Sequence, residues 1–122
     1  MTGWLGLPAR MLAALGGWRR SAGSAIRQRL RRPIAVQIVD EEPAVAKPRR
    51  LYVSMRAGRP AVGWLRCPCG CGDVISLRLA GERSPRWSVA TLSGPATLEP
   101  SVWRKSRCRS HFILRRGRIH WC

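Results

Sequence analysis

Acidic residues are scarce in this chain. Its 122 residues include 6 Asp and Glu against 23 Lys and Arg, which gives a formal net charge of +17. Both halves are basic, since residues 1–50 hold 10 basic and 3 acidic residues and residues 51–122 hold 13 and 3. A charge of this size attracts polyanions without distinguishing among them, so nucleic acid, an anionic membrane surface and an acidic protein are all candidate partners. A solvated arginine-rich surface is the alternative.

The sequence also lacks a long apolar run, a glycine-rich phosphate-binding loop and a secretory signal with a small-residue cleavage site. Without a long apolar run, no segment is expected to span a bilayer. Without the phosphate loop, no nucleotide cofactor is predicted. The missing signal and the odd number of cysteines, 5, argue against a disulfide framework, and we predict a cytoplasmic protein.

Residues 1–33 are interpreted as a basic amphipathic helix or a disordered extension. This segment contains seven arginines and no acidic residue. Leu7, Met11, Leu15 and Trp18 recur with helical spacing, although glycines weaken the helix. Such a segment could lie on an anionic membrane or bind nucleic acid. Pro33 ends it, because proline disfavours the helical conformation of the residue before it.

Residues 34–122 predict a small, mostly β domain, an antiparallel sheet or sandwich. The β-rich runs cover residues 34–39, 51–55, 61–66, 74–79, 87–91, 96–98, 111–114 and 118–121, separated by glycine and proline turns. Residues 51–66 form a predicted hairpin around the turn at residues 56–60. No helix of substantial length is expected after Pro33. Most of the six tryptophans should be structural.

A group of thiols and one imidazole predicts a metal site. Cys67, Cys69 and Cys71 alternate with Pro68 and Gly70, and a second pair of candidate ligands, Cys108 and His111, follows about forty residues later. Thiolate and imidazole suit Zn²⁺, and a structural ion would stabilise a small domain directly. Five candidates exceed four coordination positions. Either one of the first three cysteines is spare, or those cysteines displace His111 and leave it free for chemistry.

The sequence leaves two alternatives to this set of metal ligands. Cys122 and His120 are further candidate ligands near the terminus, where chains fray easily. The cysteines could also be small buried apolar residues that bind no metal.

Several motifs in residues 34–122 resemble the bacterial family known as domain of unknown function 6527. The matching motifs are Ile38-Val39-Asp40-Glu41-x-Pro43, Leu51-Tyr52-Val53-Ser54, Cys67-x-Cys69-Gly70-Cys71-Gly72, Ser84-Pro85-x-Trp87-Ser88, Pro100-Ser101-Val102, Cys108-x-Ser110-His111-Phe112 and Gly117-Arg118-Ile119-x-Trp121. Members of this family often occur beside ubiquitin-like proteins and their conjugating enzymes. The resemblance therefore implies a part in bacterial protein conjugation, its reversal or defence.

The first functional hypothesis is a non-enzymatic zinc-binding module that docks onto a protein partner of a ubiquitin-like pathway. In this hypothesis the metal fixes the loop at residues 67–72 against residues 108–111. Arg66, Arg107 and Arg109 would then face an acidic surface of the partner, unless they form only a solvated rim.

The second hypothesis is a hydrolase that removes a ubiquitin-like tag. Ser110 or Ser101 would be the nucleophile, His111 the base, and Asp73 or Glu99 the acidic third member. Neighbouring residues of a strand point to opposite faces, which argues against Ser110 with His111. Ser101 escapes this objection, but its local sequence does not resemble a strained nucleophile turn. A zinc ion bound to His111 would also remove the base.

The third hypothesis is nucleic-acid binding. Its basis is the charge together with Trp64, Trp87, Trp103 and Trp121, which could stack on bases if they are exposed.

Overall fold

The computed structural model describes residues 31–122 of the chain. The predicted basic helix of residues 1–33 therefore falls, apart from its last residues, outside the described part. No helix within residues 31–122 is long and apolar enough to cross a membrane.

The described residues confirm the mostly β prediction, because they form strands in three small sheets and contain no helix. In chain order the strands are β1 (Ala35–Val39), β2 (Arg50–Arg56), β3 (Arg59–Arg66), β4 (Val74–Arg78), β5 (Ser88–Val89), β6 (Leu98–Glu99), β7 (Val102–Trp103), β8 (His111–Arg115) and β9 (Arg118–Trp121).

The first sheet has the order β1-β2-β3-β4. The predicted hairpin is β2 and β3, joined by Ala57 and Gly58 at positive φ, as a two-residue turn between antiparallel strands requires. The sheet is not wholly antiparallel, since β1 pairs with β2 in parallel. A loop of ten residues between these strands lets the chain return to the same end of the sheet before β2 begins.

The two remaining sheets are short. β5 pairs with β6, and β7, β8 and β9 form an antiparallel sheet in that order. The sequence pattern does not predict strand β7, because its two residues are too few to show a period. Arg116 and Gly117 form the two-residue turn between β8 and β9, again at positive φ.

The main core lies between the first sheet and the third. Leu51, Val53, Leu65 and Leu77 of the first sheet pack in one buried cluster with Phe112, Leu114 and Val102 of the third. Along β8 the buried residues Phe112 and Leu114 alternate with the less buried His111 and Ile113. One face of the third sheet therefore packs in the core. The opposite face carries His111 and Ile113 and lies outside the core.

Candidate active site and cysteine cluster

Ser101 and His111 meet on the outer face of the third sheet. Ser101 directly precedes β7, and His111 is the first residue of β8, opposite Trp103 in the register. The Ser101 Oγ lies 2.9 Å from the His111 Nε2, which is hydrogen-bond distance. The indole Nε1 of Trp87 donates to the backbone oxygen of Ser101 at 3.2 Å and so holds this serine in place. A serine hydroxyl bonded to an imidazole is the arrangement that activates serine as a nucleophile.

The indole of Trp103 stacks on the imidazole of His111. The two ring centroids are 5.2 Å apart, and the rings are 17° from parallel. The ammonium of Lys105 lies 5.1 Å from the centroid of the Trp103 ring. Trp103 is 58% exposed, so its contact with His111 is made at the surface and not in the core.

Neither acidic residue considered as a third member contacts His111. Asp73 instead pairs with Arg104 at 3.2 Å and with Arg107 at 3.4 Å. Glu99 lines a cleft beside Ser101. All six acidic residues of the chain lie within residues 31–122, and none of their carboxylates is hydrogen-bonded to His111. Among the described residues no carboxylate joins Ser101 and His111, and we call this hydrogen-bonded pair the dyad.

Ser110, the alternative nucleophile, points the other way. It is buried, and its hydroxyl lies 3.1 Å from the Cys108 Sγ and 3.8 Å from the Cys67 Sγ. Ser110 and His111 therefore point to opposite sides, as expected for neighbouring residues: Ser110 faces the thiols and His111 faces Ser101.

Four thiols converge at the end of the domain formed by the β3–β4 loop. The sulfur atoms of Cys67, Cys69, Cys71 and Cys108 all lie within 4.8 Å of one another, and we call these residues the cysteine cluster. The sulfur of Cys67 is 3.3 Å from that of Cys69 and 3.7 Å from that of Cys108. His111 is not in this group, and neither are His120 and Cys122. The sequence proposed five ligands, and the structure brings four of them together.

The local backbone explains why three close cysteines can converge. The N–H of Cys67 donates to the carbonyl of Asp73 at 2.8 Å, which closes the loop. Gly70 and Gly72 have φ of 90° and 88°, a conformation that L side chains rarely adopt. These two turns direct the thiols of Cys69 and Cys71 toward Cys67, and the N–H of Cys71 donates to the Cys69 Sγ at 3.3 Å.

The surroundings of the cluster favour the thiolate form of Cys108. Hydrogen bonds with Ser110, and then with neighbouring groups, lower the pKa of Cys108 to about 6. Burial raises the pKa of the Cys67 thiol to about 11. Hydrogen bonds, first with Ser110, also lower the pKa of Cys69. The cysteine cluster thus contains two thiols with lowered pKa, those of Cys108 and Cys69, beside the buried Cys67 thiol, whose pKa is raised.

Arg104 brings a positive charge to the cysteine cluster. Its guanidinium donates to the Cys108 Sγ at 3.3 Å, to the Cys71 Sγ at 3.6 Å and to the Asp73 carboxylate at 3.2 Å. Its side chain is only 15% exposed. Arg104 directly follows Trp103, and its N–H donates to the carbonyl of Ser110 at 2.8 Å. The hairpin of β7 and β8 therefore carries His111 on β8, Ser101 directly before β7, and Cys108 of the cysteine cluster in its loop.

Two of these residues were missed at the level of sequence. From the sequence, Trp103 is a candidate only for base stacking, and Arg104 is one arginine among many. No sequence signal identifies either, because their positions depend on the pairing of β7 with β8.

Comparison with known proteins gives one family. No curated protein and no solved structure matches this chain. The model of a family described as "Bacterial ubiquitination-like system serine protease (BubE)" matches residues 38–122, and this confirms the predicted link to a bacterial ubiquitin-like pathway. Because the match covers well over half of the chain, the chain belongs to the BubE family.

Proposed function

We propose that this protein is a serine hydrolase that cleaves the amide bond attaching a ubiquitin-like protein, with Ser101 as nucleophile and His111 as general base. The hydrogen bond of 2.9 Å between the Ser101 Oγ and the His111 Nε2 carries this proposal. The family description, a serine protease of a ubiquitination-like system, supports it independently. Of the three hypotheses from the sequence, the hydrolase is the one that this pair of residues favours.

The dyad supplies every proton transfer that the reaction needs. With the imidazole proton on Nδ1, the Nε2 of His111 accepts the hydroxyl proton as the Ser101 Oγ attacks the carbonyl carbon. The C–N bond breaks, and the leaving amine takes this proton from Nε2. Water then attacks the acyl ester and gives its proton to Nε2. The ester C–O bond breaks, and the proton returns to the Ser101 oxygen.

A covalent probe tests the nucleophile. Treatment of the full chain with a fluorophosphonate, followed by peptide mass spectrometry, should place the adduct on Ser101. In the Ser101→Ala and His111→Ala variants, the rates of labelling and of amide hydrolysis should fall about 10³-fold or more. Ser76→Ala is the matched control, because Ser76 is exposed on β4 of the first sheet. Labelling of Ser110, or full labelling of Ser101→Ala, would refute the assignment.

We further propose that the cysteine cluster binds one structural Zn²⁺. Four thiolates at about 2.3 Å from one ion would place their sulfurs about 3.8 Å apart, close to the separations within the cluster. Cys67, Cys69, Cys71 and Cys108 would then hold the metal, and His111 would stay free as a base. The ion would supply folding free energy, not reaction chemistry.

Elemental analysis tests the metal. Purified protein should contain about one zinc per chain, and Cys69→Ala should contain none, whereas His111→Ala should keep its zinc. Loss of zinc in His111→Ala would return this histidine to the ligand set and argue against the dyad.

Membership of a ubiquitination-like system supports a protein partner, and the ubiquitin-like protein itself is the partner that this proposal names. An acidic face of that protein would meet the exposed Arg66, Arg107 and Arg109. Cytoplasmic localisation, nucleic-acid binding and membrane binding stay predictions.

A further inference from the structure

A cleft of about 480 Å³ opens beside Ser101. Six of its lining residues carry the argument: Arg86, Trp87, Glu99, Ser101, Ile113 and Arg115. Trp103 and His111 are not in its lining. The cleft therefore extends from Ser101 on the side away from the stacked rings, where a polypeptide could lie while the dyad acts on one of its carbonyls.

Strand β8 forms one wall of the cleft and leads away from the dyad. His111, Ile113 and Arg115 alternate with the buried Phe112 and Leu114, so they share the outer face of the sheet. With about 3.3 Å of rise per residue, Arg115 lies about 13 Å along the strand from His111. Ile113 lies halfway between them. Val102 is paired with Phe112, so the preceding Ser101 lies near Ile113, about two residues before Arg115. The guanidinium of Arg115 can therefore reach a substrate residue two or three positions from the scissile bond.

Charge in this cleft is unbalanced. Arg86 and Arg115 are both exposed, and Glu99 is the one acidic residue of the lining. Among the described residues, Asp73 is the carboxylate that forms ion pairs, and neither Arg86 nor Arg115 lies within 4.0 Å of an acidic group. The Arg86 guanidinium is positioned by one bond, to the carbonyl of Gly81 at 2.9 Å. Both guanidinium groups keep donors available for a carboxylate.

We propose that this cleft binds the substrate polypeptide next to the scissile bond and that Arg115, assisted by Arg86, selects an acidic side chain there. The inference rests on the proposed hydrolase function. It assigns a subsite in which a Glu or Asp two or three residues from the cleaved bond meets Arg115. Ile113 lies beside Ser101 and two residues before Arg115, and it offers an apolar surface to the intervening residue.

Arg115 is better placed for this selection than the other exposed arginines of the chain. The net charge of +17 raises the local concentration of any acidic protein but specifies no residue of it. Arg115 stands on the face that carries the dyad and lines the cleft that reaches Ser101. A charged contact at this distance from the scissile bond recognises one defined side chain of the substrate. It therefore raises kcat/KM only for substrates that carry that side chain.

Matched peptides test the subsite. The full chain is first incubated with a mixture of peptides of varied sequence, and mass spectrometry locates the cleavage sites. A cleaved peptide is then resynthesised with Glu, Gln or Lys at each of the three positions on either side of the bond. At one position, Glu should give a kcat/KM about tenfold or more above Gln.

Charge reversal in the enzyme should reverse this preference. Arg115→Glu should favour the Lys peptide over the Glu peptide, whereas Arg59→Glu, which alters an exposed arginine at the start of β3, should keep the preference for Glu. Arg115→Gln, a milder change, should abolish the discrimination. Peptides with a C-terminal amide in place of the free acid separate the side-chain carboxylate from a terminal one. Discrimination that depends on the free terminus would overturn the side-chain assignment.

The two proposals fail in distinguishable ways. Equal cleavage of Glu and Gln peptides at every position, with Ser101 still labelled by fluorophosphonate, would overturn the subsite alone. Absence of both Ser101-dependent cleavage and Ser101 labelling would overturn the hydrolase and, with it, the subsite.

Discussion

The ring of Trp103 stacks on the face of the His111 ring, with 5.2 Å between their centroids, whereas serine hydrolases of the triad type orient the base by a carboxylate at the edge of its ring. The register places Trp103 directly opposite His111 on the neighbouring strand. An antiparallel pair of this kind brings side chains on one face into direct contact. Stacking restricts the rotation of the imidazole and so keeps its Nε2 directed at Ser101. In the proposed hydrolase, Trp103 is therefore a positioning residue.

Replacement of Trp103 tests this orientation. Trp103→Ala should lower kcat about tenfold and leave KM nearly unchanged, because a misdirected base affects the reaction and not substrate binding. Trp103→Phe keeps an aromatic face and should restore most of the rate. The measurement is steady-state hydrolysis of one peptide by the three proteins. A rise in KM with constant kcat would assign Trp103 to substrate binding instead.

Gly117 joins the third sheet to the start of the first. Its N–H donates to the carbonyl of Ala96 at 2.7 Å, and its own carbonyl accepts from Ile34 at 2.9 Å. A Cβ here would meet the Cβ of Pro33 and lie 3.0 Å from the backbone of Ile34, at a φ of 76°. Gly58 has the same φ but open space around it.

Gly117→Ala should therefore cost more stability than Gly58→Ala. Conformational strain alone predicts a loss of about 1 to 2 kcal/mol at Gly58. The added clash at Gly117 predicts about 3 kcal/mol or more. Urea unfolding of the two variants beside the unaltered protein measures both losses. Equal losses would mean that the contact with Pro33 and Ile34 relaxes freely.

Local features of the fold could be predicted from the sequence. The hairpin of β2 and β3 follows from two β-rich runs around one glycine turn, which are adjacent in the chain. The parallel pairing of β1 with β2 could not be predicted, because it depends on the path of the intervening loop. Strand β7 could not be predicted either, since two residues carry no periodicity.

For the candidate site, residue types were predictable and groupings were not. Three cysteines spaced one residue apart predict a cluster, and the structure brings these three together with Cys108. The partner of His111 was ambiguous, because a cysteine ligand set and Ser101 competed for the same imidazole. Pairing of β7 with β8 decides this choice by placing Ser101 and His111 on one face and Ser110 on the other.

Arg104 should influence metal affinity although it binds no metal itself. Its hydrogen bonds to Cys71 and Cys108 offset the negative charge that four thiolates concentrate. Arg104→Met should weaken zinc binding about tenfold to a hundredfold, measured by competition with a chromophoric chelator. Arg107→Met is the control, because Arg107 pairs with the same Asp73 but is 70% exposed and should contribute little. Similar losses in both variants would argue for a general charge effect.

Metal removal should slow hydrolysis through the hairpin that both sites share. Cys108 and Arg104 belong to the segment that connects β7 to β8, and the strands at its ends carry Trp103 and His111. Cys69→Ser should lose zinc and most of its rate, although Cys69 contacts neither Ser101 nor His111. Cys122→Ser should retain both its zinc and its rate of hydrolysis, because Cys122 lies outside the cysteine cluster. The substitution also keeps the hydrogen bond from the backbone N–H of residue 122 to the carbonyl of His111.

Zinc content and the rate of hydrolysis, measured on the same preparations, test whether hydrolysis depends on the metal. Restoring the rate of chelator-treated protein with Zn²⁺ should follow the return of metal with a stoichiometry of about one ion per chain. Full activity in zinc-free Cys69→Ser would show that the strands of the hairpin hold the dyad unaided. In that case the metal would stabilise only the loop between β3 and β4.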